Sequence, residues 1–223
     1  MKFYRVFADF GRRKKFTYAL PFDVNSLPSE KINCPVCKRT WNNSKKLYSD
    51  ISVTFPIVFT NNYFSDYING QLLDYVSSAA KEFLLKQNIK DLSFSQPMPV
   101  MGVSELSKEK TKELRDRGYP TKKLHDEKPD YFRFSVAVGA SLHEDSNFRW
   151  VDSGEYVCAH CGYGVGYKLE DYLAPIYIKL DSWNGTDLFR LKEIGGECCT
   201  EGFKKRWEES GLTGIDFEEI EAR

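Results

Sequence analysis

Two pairs of cysteines with identical spacing are the residues best suited to chemistry in this sequence. Cys34 and Cys37 lie in NCPVCKRTW, and Cys158 and Cys161 lie in VCAHCGYG. Four thiolates are the ligand number of a tetrahedral structural zinc site, and in a CxxC turn both sulfur atoms can face one ion. We therefore predict one Zn²⁺ site formed by Cys34, Cys37, Cys158 and Cys161, in a module of residues 30–45 and 155–165.

The residue that follows each CxxC pair also carries information. Gly162 follows the second pair and Lys38 follows the first. A residue that tolerates positive φ is useful at this position, and glycine adopts such a conformation without steric cost. We expect Lys38 to occupy the matching place in the first turn at modest strain.

The two CxxC pairs are separated by residues 38–157, far more than in a compact zinc ribbon. Three other interpretations of the two pairs stay open: a redox-active CPVC pair, a site that has lost its metal, and a zinc ribbon that binds nucleic acid. A thioredoxin-like pair should open a helix after a strand, whereas the residues around CPVC are typical of a loop. Charged residues flank both pairs: Lys38, Arg39, Lys45 and Lys46 at the first, Glu155, Glu170 and Asp171 at the second.

Cys198 and Cys199 are adjacent, so both cannot easily bind one zinc ion. They precede a predicted helix N-cap, and we expect them to pack in the core as small apolar side chains. The alternative, a catalytic thiolate, would need a base. The three histidines, His125, His143 and His160, lie in polar or CxxC contexts, and no catalytic or phosphate-binding motif is found. We predict that the protein is not an enzyme.

Composition limits the possible partners. The 32 basic residues balance the 32 acidic ones, which argues against nucleic acid or an anionic membrane as the main partner. No apolar run approaches the roughly 18 residues of a membrane span, and no signal-peptide core is found. The expectation is a cytoplasmic protein whose cysteines are thiols or metal ligands.

Hydrophobic periodicity predicts a mixture of strands and helices without a regular βαβ alternation. We predict strands over 2–10, 131–140, 174–180 and 213–220, and helices over 70–87, 104–118 and 200–211. The expected class is α+β: mixed strands and a few helices around one core, with a zinc-knuckle site built from two distant CxxC turns. We treat residues 1–223 as a single domain with a variable middle at about 50–150.

Several segments together resemble the double-CxxCG motif protein family. They are KFYRVFADF at the start, CPVCKRTW, CAHCG, DLFRLKEIGGECCTEGFKKRW and LTGIDFEEI. The resemblance covers both ends and both CxxC pairs, and Lys38 stands where the family has glycine. It implies that Trp41, Phe189 and Leu191 are structural.

Some members of that family are described as immunity proteins. The resemblance therefore implies a cytoplasmic protein that neutralises a cognate bacterial toxin by stoichiometric binding, with structural Zn²⁺ in the four-cysteine site. The alternative is a zinc-ribbon nucleic-acid-binding or transcription-associated protein. We expect the toxin-binding surface in residues 50–150, around the helices predicted at 70–87 and 104–118.

Overall fold

A computed structural model of the chain describes residues 1–8, 20–21, 30–43, 51–52, 54, 56–60, 62–69, 74–118, 121–125, 127–146, 148–151, 158, 160–161, 166–169, 175–194 and 196–223. The described strands are β1 Phe3–Ala8, β2 Leu20–Pro21, β3 Glu30–Asn33, β4 Thr40–Asn43, β5 Ile57–Phe59, β6 Tyr67–Asn69, β7 Asp74–Ser77, β8 Ser93–Phe94, β9 Val100–Gly102, β10 Tyr131–Ser135, β11 Val138–Ala140, β12 Phe148–Val151, β13 Gly166–Leu169, β14 Tyr177–Ile178, β15 Leu188–Leu191, β16 Glu197–Thr200 and β17 Ile215–Ala222. The described helices are α1 Ser78–Leu84, α2 Lys108–Asp116 and α3 Glu201–Ser210, with 3₁₀ turns at Val103–Glu105 and Leu180–Ser182. The α+β class is confirmed.

A six-stranded sheet joins the two ends of the chain. Its strand order is β11-β15-β16-β1-β17-β14. The N-terminal strand β1 lies between β16 and β17 and is antiparallel to both, with Phe3 opposite Thr200 on one side and Ile220 on the other. β16 and β17 are therefore parallel to each other, and α3 forms the crossover between them.

Alternating side chains of β1 point to opposite faces of this sheet, as the period of a strand requires. Phe3 packs on one face with Phe189, Leu191 and Cys198, so the predicted structural role of Phe189 and Leu191 is supported by their burial. Tyr4, Val6 and Ala8 pack on the other face, in a cluster that includes Cys199 and the buried residues of α1 and α3.

α3 matches its predicted position at 200–211. Thr200 is the N-cap, since its side chain accepts a hydrogen bond from the Phe203 N–H, and the helix ends at Gly211, whose φ of 75° is left-handed. Phe203 and Trp207 are buried against the sheet. The ring of Phe83 in α1 meets both at centroid distances of 5.8 and 5.4 Å, and this contact fixes α1 beside α3.

Smaller sheets surround the main one. A four-stranded sheet has the order β6-β7-β10-β8, and a three-stranded sheet has the order β2-β5-β9. An aromatic cluster with Phe59, Tyr75 and Tyr131 lies between them. The polar helix α2 covers a small cluster with its one buried side chain, Leu114. The described buried residues form four clusters.

The helix predicted over 70–87 is wrong at Asp74–Ser77, and its residues 70–73 lie outside the described residues. Residues Asp74–Ser77 form β7, which pairs with β10 and β6, and α1 begins only at Ser78. The side chain of Ser77 accepts a hydrogen bond from the Ala80 N–H at 3.2 Å and donates one to Asp66 at 2.7 Å. Because Tyr75 and Val76 are β-formers buried between two strands, sheet pairing outweighs the helical spacing of the apolar residues.

Three other predicted elements differ in extent. The strand expected over 131–140 is two strands, β10 and β11, which belong to different sheets. Of the strand expected over 174–180, the described residues 175–180 form a strand at Tyr177–Ile178, followed by a 3₁₀ turn. The helix expected over 104–118 is shorter, from Lys108 to Asp116. The strands expected at both chain ends are confirmed as β1 and β17.

The described helices contain no segment long and apolar enough to cross a membrane.

Candidate metal centre

The first CxxC pair lies at the tip of the hairpin formed by β3 and β4. The two strands are antiparallel, with Asn33 opposite Thr40. The Cys34 N–H donates to the Arg39 carbonyl at 3.0 Å, and the Lys38 N–H donates to the Cys34 carbonyl at 3.0 Å. The Cys37 N–H donates to the Cys34 sulfur at 3.4 Å. These bonds close a tight turn that directs both cysteines to one side of the hairpin tip.

Lys38 adopts the left-handed conformation expected of this position, with φ of 60°. Its side chain is exposed. A non-glycine residue in this region carries a steric cost of roughly 1–2 kcal/mol. In this conformation the Lys38 N–H donates its hydrogen bond to the Cys34 carbonyl, and this bond closes the turn that carries the two cysteines.

The second CxxC pair lies in the chain segment that connects two antiparallel strands, β12 and β13. β12 pairs with β13, and Val151 lies opposite Gly166. Cys158 and Cys161 come from the chain between these two strands. In sequence this hairpin lies between β11 and β14, the two edge strands of the six-stranded sheet. Gly162, Glu155, Glu170 and Asp171 lie outside the described residues, as do Lys45 and Lys46.

The structure brings the four predicted cysteines together. All four sulfur atoms lie within 4.8 Å of one another and could hold a metal ion. Cys34 and Cys158 are 3.8 Å apart between sulfur atoms, and Cys37 and Cys161 are 3.9 Å apart. A tetrahedral zinc site with sulfur–metal distances of about 2.3 Å has sulfur–sulfur edges of about 3.8 Å. The predicted convergence of these residues is confirmed, and the donor set fits a thiophilic ion.

The site has an inner and an outer pair of sulfurs. Cys34 and Cys158 are buried, whereas Cys37 and Cys161 are partly exposed. His160, between the second pair, is exposed, as are Pro35 and Val36 between the first pair. The CPVC residues lie in a turn between two strands and do not open a helix, which is unlike the context of a thioredoxin-like redox pair.

The hydrogen bonds of the first turn divide the thiols by acidity. The Cys37 N–H, with a smaller effect from the Val36 N–H, lowers the pKa of Cys34 to about 6. The Arg39 N–H acts in the same direction on Cys37, but burial and the three neighbouring thiols together raise the pKa of Cys37 to about 11. Of these two thiols, Cys34 is therefore the more acidic. A bound cation would stabilise further thiolates at the same centre.

Cys198 and Cys199 do not belong to the cluster of four cysteines. Both lie in β16 with no exposed surface, Cys198 opposite Phe189 and Cys199 opposite Leu188. Burial raises the pKa of Cys198 to about 12, and it raises that of Cys199 further. Their expected packing in the core is confirmed. Neither thiol is accessible as a nucleophile in this structure.

The histidines do not join a catalytic group in the described residues. His125 and His160 are exposed. The His143 Nδ1 accepts a hydrogen bond from the Asp145 N–H at 3.2 Å within a local turn.

One group of ionisable residues was not foreseen from the sequence. Glu197 of β16 meets Asp74 of β7, and the buried Tyr67 hydroxyl donates to Asp74. Burial, reinforced by Asp74, raises the pKa of Glu197 to about 8. Acidic residues this far apart in the chain carry no shared pattern, so only the packing of the two sheets shows that they meet.

A scan against models of known protein families finds no match to this chain, and a search of the curated proteins finds no relative.

Proposed function

We propose that Cys34, Cys37, Cys158 and Cys161 bind one structural Zn²⁺, and that the protein is a cytoplasmic immunity protein that neutralises a cognate bacterial toxin by stoichiometric binding. The observation that carries the metal assignment is the convergence of four sulfurs from two distant segments, with the closest pairs 3.8 and 3.9 Å apart. The separation suits tetrahedral thiolate coordination, in which zinc is the usual ion.

A structural role for the ion follows from the donor count. Four protein thiolates complete a tetrahedral zinc shell and leave no position for water or substrate, unlike the open sites of zinc enzymes. The ligands of each close pair are 124 positions apart. An ion held by both CxxC turns, each then a zinc knuckle, would tie the β3–β4 hairpin to the β12–β13 hairpin across the intervening chain.

Support for the immunity role is the resemblance of the CPVCKRTW, CAHCG and DLFRL segments to the double-CxxCG motif proteins. Two features agree with a protein that acts by contact. The net charge is zero, so recognition by shape is favoured over recognition by a field of one sign. The described helix α2 presents an almost wholly exposed charged surface, with Leu114 as its one buried residue.

The test of the binding role begins with the neighbouring genes, where we expect a toxin to be encoded, and continues with titration calorimetry on that purified toxin. We expect one protein chain to bind one toxin molecule. Lys108→Glu combined with Lys112→Glu on α2 should weaken binding at least about tenfold, which is about 1.4 kcal/mol. Both side chains are exposed, so the fold should be kept. Lys205→Glu, an equally exposed change on α3, is the matched control and should bind as the wild type does.

Two results would contradict this function. Protection against many molar equivalents of toxin would require an enzymatic mechanism. Tight DNA or RNA binding with a steep fall in affinity as salt rises would instead support the nucleic-acid-binding alternative.

A further inference from the structure

The four thiols form two close contacts, and each contact joins the two distant segments. Cys34 meets Cys158 at 3.8 Å and Cys37 meets Cys161 at 3.9 Å. The first contact is buried, whereas both members of the second are partly exposed. A dissolved small molecule therefore reaches the Cys37–Cys161 pair first.

We propose that Cys37 and Cys161 form a thiol oxidation site, at which hydrogen peroxide converts the pair into a disulfide between the β3–β4 hairpin and the segment between β12 and β13. Oxidation of this pair would regulate the proposed metal site, because it consumes two of the four ligands. That regulatory role rests on the proposed function, whereas the oxidation of the metal-free thiols does not. The disulfide would join the same two segments that a bound metal would join. Oxidation would therefore replace the metal cross-link by a covalent one.

The reaction balances with peroxide as the oxidant. The partly exposed sulfur of Cys161 attacks a peroxide oxygen, the O–O bond breaks, and a sulfenic acid at Cys161 and one water are formed. The other sulfur then attacks the sulfenic sulfur, the S–O bond breaks, and a second water leaves. Two thiols lose two electrons and two protons in total, and one hydrogen peroxide becomes two waters.

Geometry favours this pair over a disulfide within one CxxC turn. The sulfur of Cys34 is buried and accepts the Cys37 N–H, so the turn holds Cys34 on the inner side. A disulfide bond needs a sulfur–sulfur distance of about 2.05 Å, and the sulfurs of Cys37 and Cys161 are 3.9 Å apart. A small approach of the two segments would close this gap while the first CxxC turn keeps its hydrogen bonds. Cys198 and Cys199 have no exposed surface and should not react.

Trypsin distinguishes the possible products cleanly. Cys34 and Cys37 share the tryptic peptide 32–38, and Cys158 and Cys161 share the peptide 150–168. A bond between the segments joins the two peptides, whereas bonds within the CxxC turns leave them separate, each two mass units lighter. Cys198 and Cys199 share the peptide 193–204, which is an internal control that should stay reduced.

The experiment treats the purified protein with hydrogen peroxide, alkylates the remaining thiols and measures the peptides by mass spectrometry. We expect the joined peptide as the first product, and its loss when dithiothreitol is added. Cys34→Ser combined with Cys158→Ser should keep the joined product. Cys37→Ser combined with Cys161→Ser leaves only the shielded pair and should form it at least several-fold more slowly. Circular dichroism before oxidation confirms that each variant is folded.

Separate oxidised peptides in place of the joined one would overturn the inference, as would faster joining through the Cys34–Cys158 pair. Metal content is measured on the same untreated sample. Protein that contains zinc but forms only separate oxidised peptides refutes the inference and keeps the proposed metal site. Protein that contains no zinc, takes up none when zinc is added and still forms the joined peptide refutes the metal site and keeps the inference.

Discussion

Lys38 is the single residue at which the first CxxC turn carries backbone strain. Its φ of 60° lies in the left-handed region, where a β-carbon is unfavourable and glycine is not. Lys38 nevertheless adopts this conformation, and its N–H donates to the Cys34 carbonyl the hydrogen bond that closes the turn.

We predict that Lys38→Gly raises the free energy of unfolding by up to about 1 kcal/mol, because it removes the steric cost and adds only the entropy of glycine in the unfolded chain. Urea denaturation measures this. Lys31→Gly is the matched control, an exposed lysine in β3, and should lower the stability by about 0.5–1 kcal/mol. Equal effects of the two changes would show that the Lys38 turn is not strained.

Glu197 predicts a dependence of stability on pH. Its pKa is raised from 4.5 to about 8, because burial and the nearby Asp74 disfavour its charged form. The stabilisation from its bound proton is therefore fully present below about pH 4.5 and is lost as the pH rises towards 8.

Glu197→Gln should remove most of this dependence, since glutamine is neutral and can still donate to Asp74. The variant should gain stability relative to wild type between about pH 6 and about pH 9 in urea denaturation. Glu144→Gln, a change at an exposed glutamate, is the control and should follow the wild-type pH profile. Parallel profiles for wild type and Glu197→Gln would contradict the contact of Glu197 with Asp74.

Among the elements, the junction of β7 and α1 decides how the main sheet meets the four-stranded sheet. Ser77 ends one element and caps the next, through bonds to the Ala80 N–H and to Asp66. Its neighbour Ser78 is the first residue of α1 and is exposed. The two adjacent serines thus have very different roles.

We expect Ser77→Ala to lower the free energy of unfolding by about 1–2 kcal/mol, because the helix loses its cap and a buried hydrogen bond. Ser78→Ala should change it by less than about 0.5 kcal/mol. Thermal and urea unfolding of both variants provide the comparison. A larger loss in Ser78→Ala would mean that the boundary of the helix is misplaced.

Local patterns predict the elements at the chain ends better than those in the middle. The helix α3 is specified by residues close in sequence: the N-cap Thr200, the C-terminal Gly211, and the buried Phe203 and Trp207. Val76 is different, because its strand lies between Tyr67 of β6 and Phe132 of β10, and Phe132 is far away in the chain. For the candidate site, residue types and spacing predict the ligands, but their convergence depends on tertiary packing.

On the scale of the whole molecule, the four cysteines bring together two chain segments that are far apart in sequence. The close pairs are 124 positions apart. Closing a chain segment this long costs conformational entropy, and a bound ion would offset that cost within the folded state. The stability of the protein should therefore depend on this centre more than on other buried cysteines.

Cys158→Ser should lower the melting temperature far more than Cys199→Ser. The first change removes a proposed metal ligand. In zinc-finger peptides the binding of structural Zn²⁺ by all its ligands contributes roughly 10–16 kcal/mol. The second places a hydroxyl in an apolar niche, at about 1–3 kcal/mol. Differential scanning calorimetry checks the order, and similar shifts would argue against a structural metal.

The metal content of the purified protein tests the central claim most directly. Inductively coupled plasma mass spectrometry on protein expressed without an affinity tag should find one zinc per chain in the wild type and in Cys199→Ser. Zinc should be absent, or lost on dialysis, in Cys34→Ser and in Cys158→Ser. Wild-type protein that is folded but contains no metal and takes up none from added zinc would contradict the account, as would full zinc content in either ligand variant.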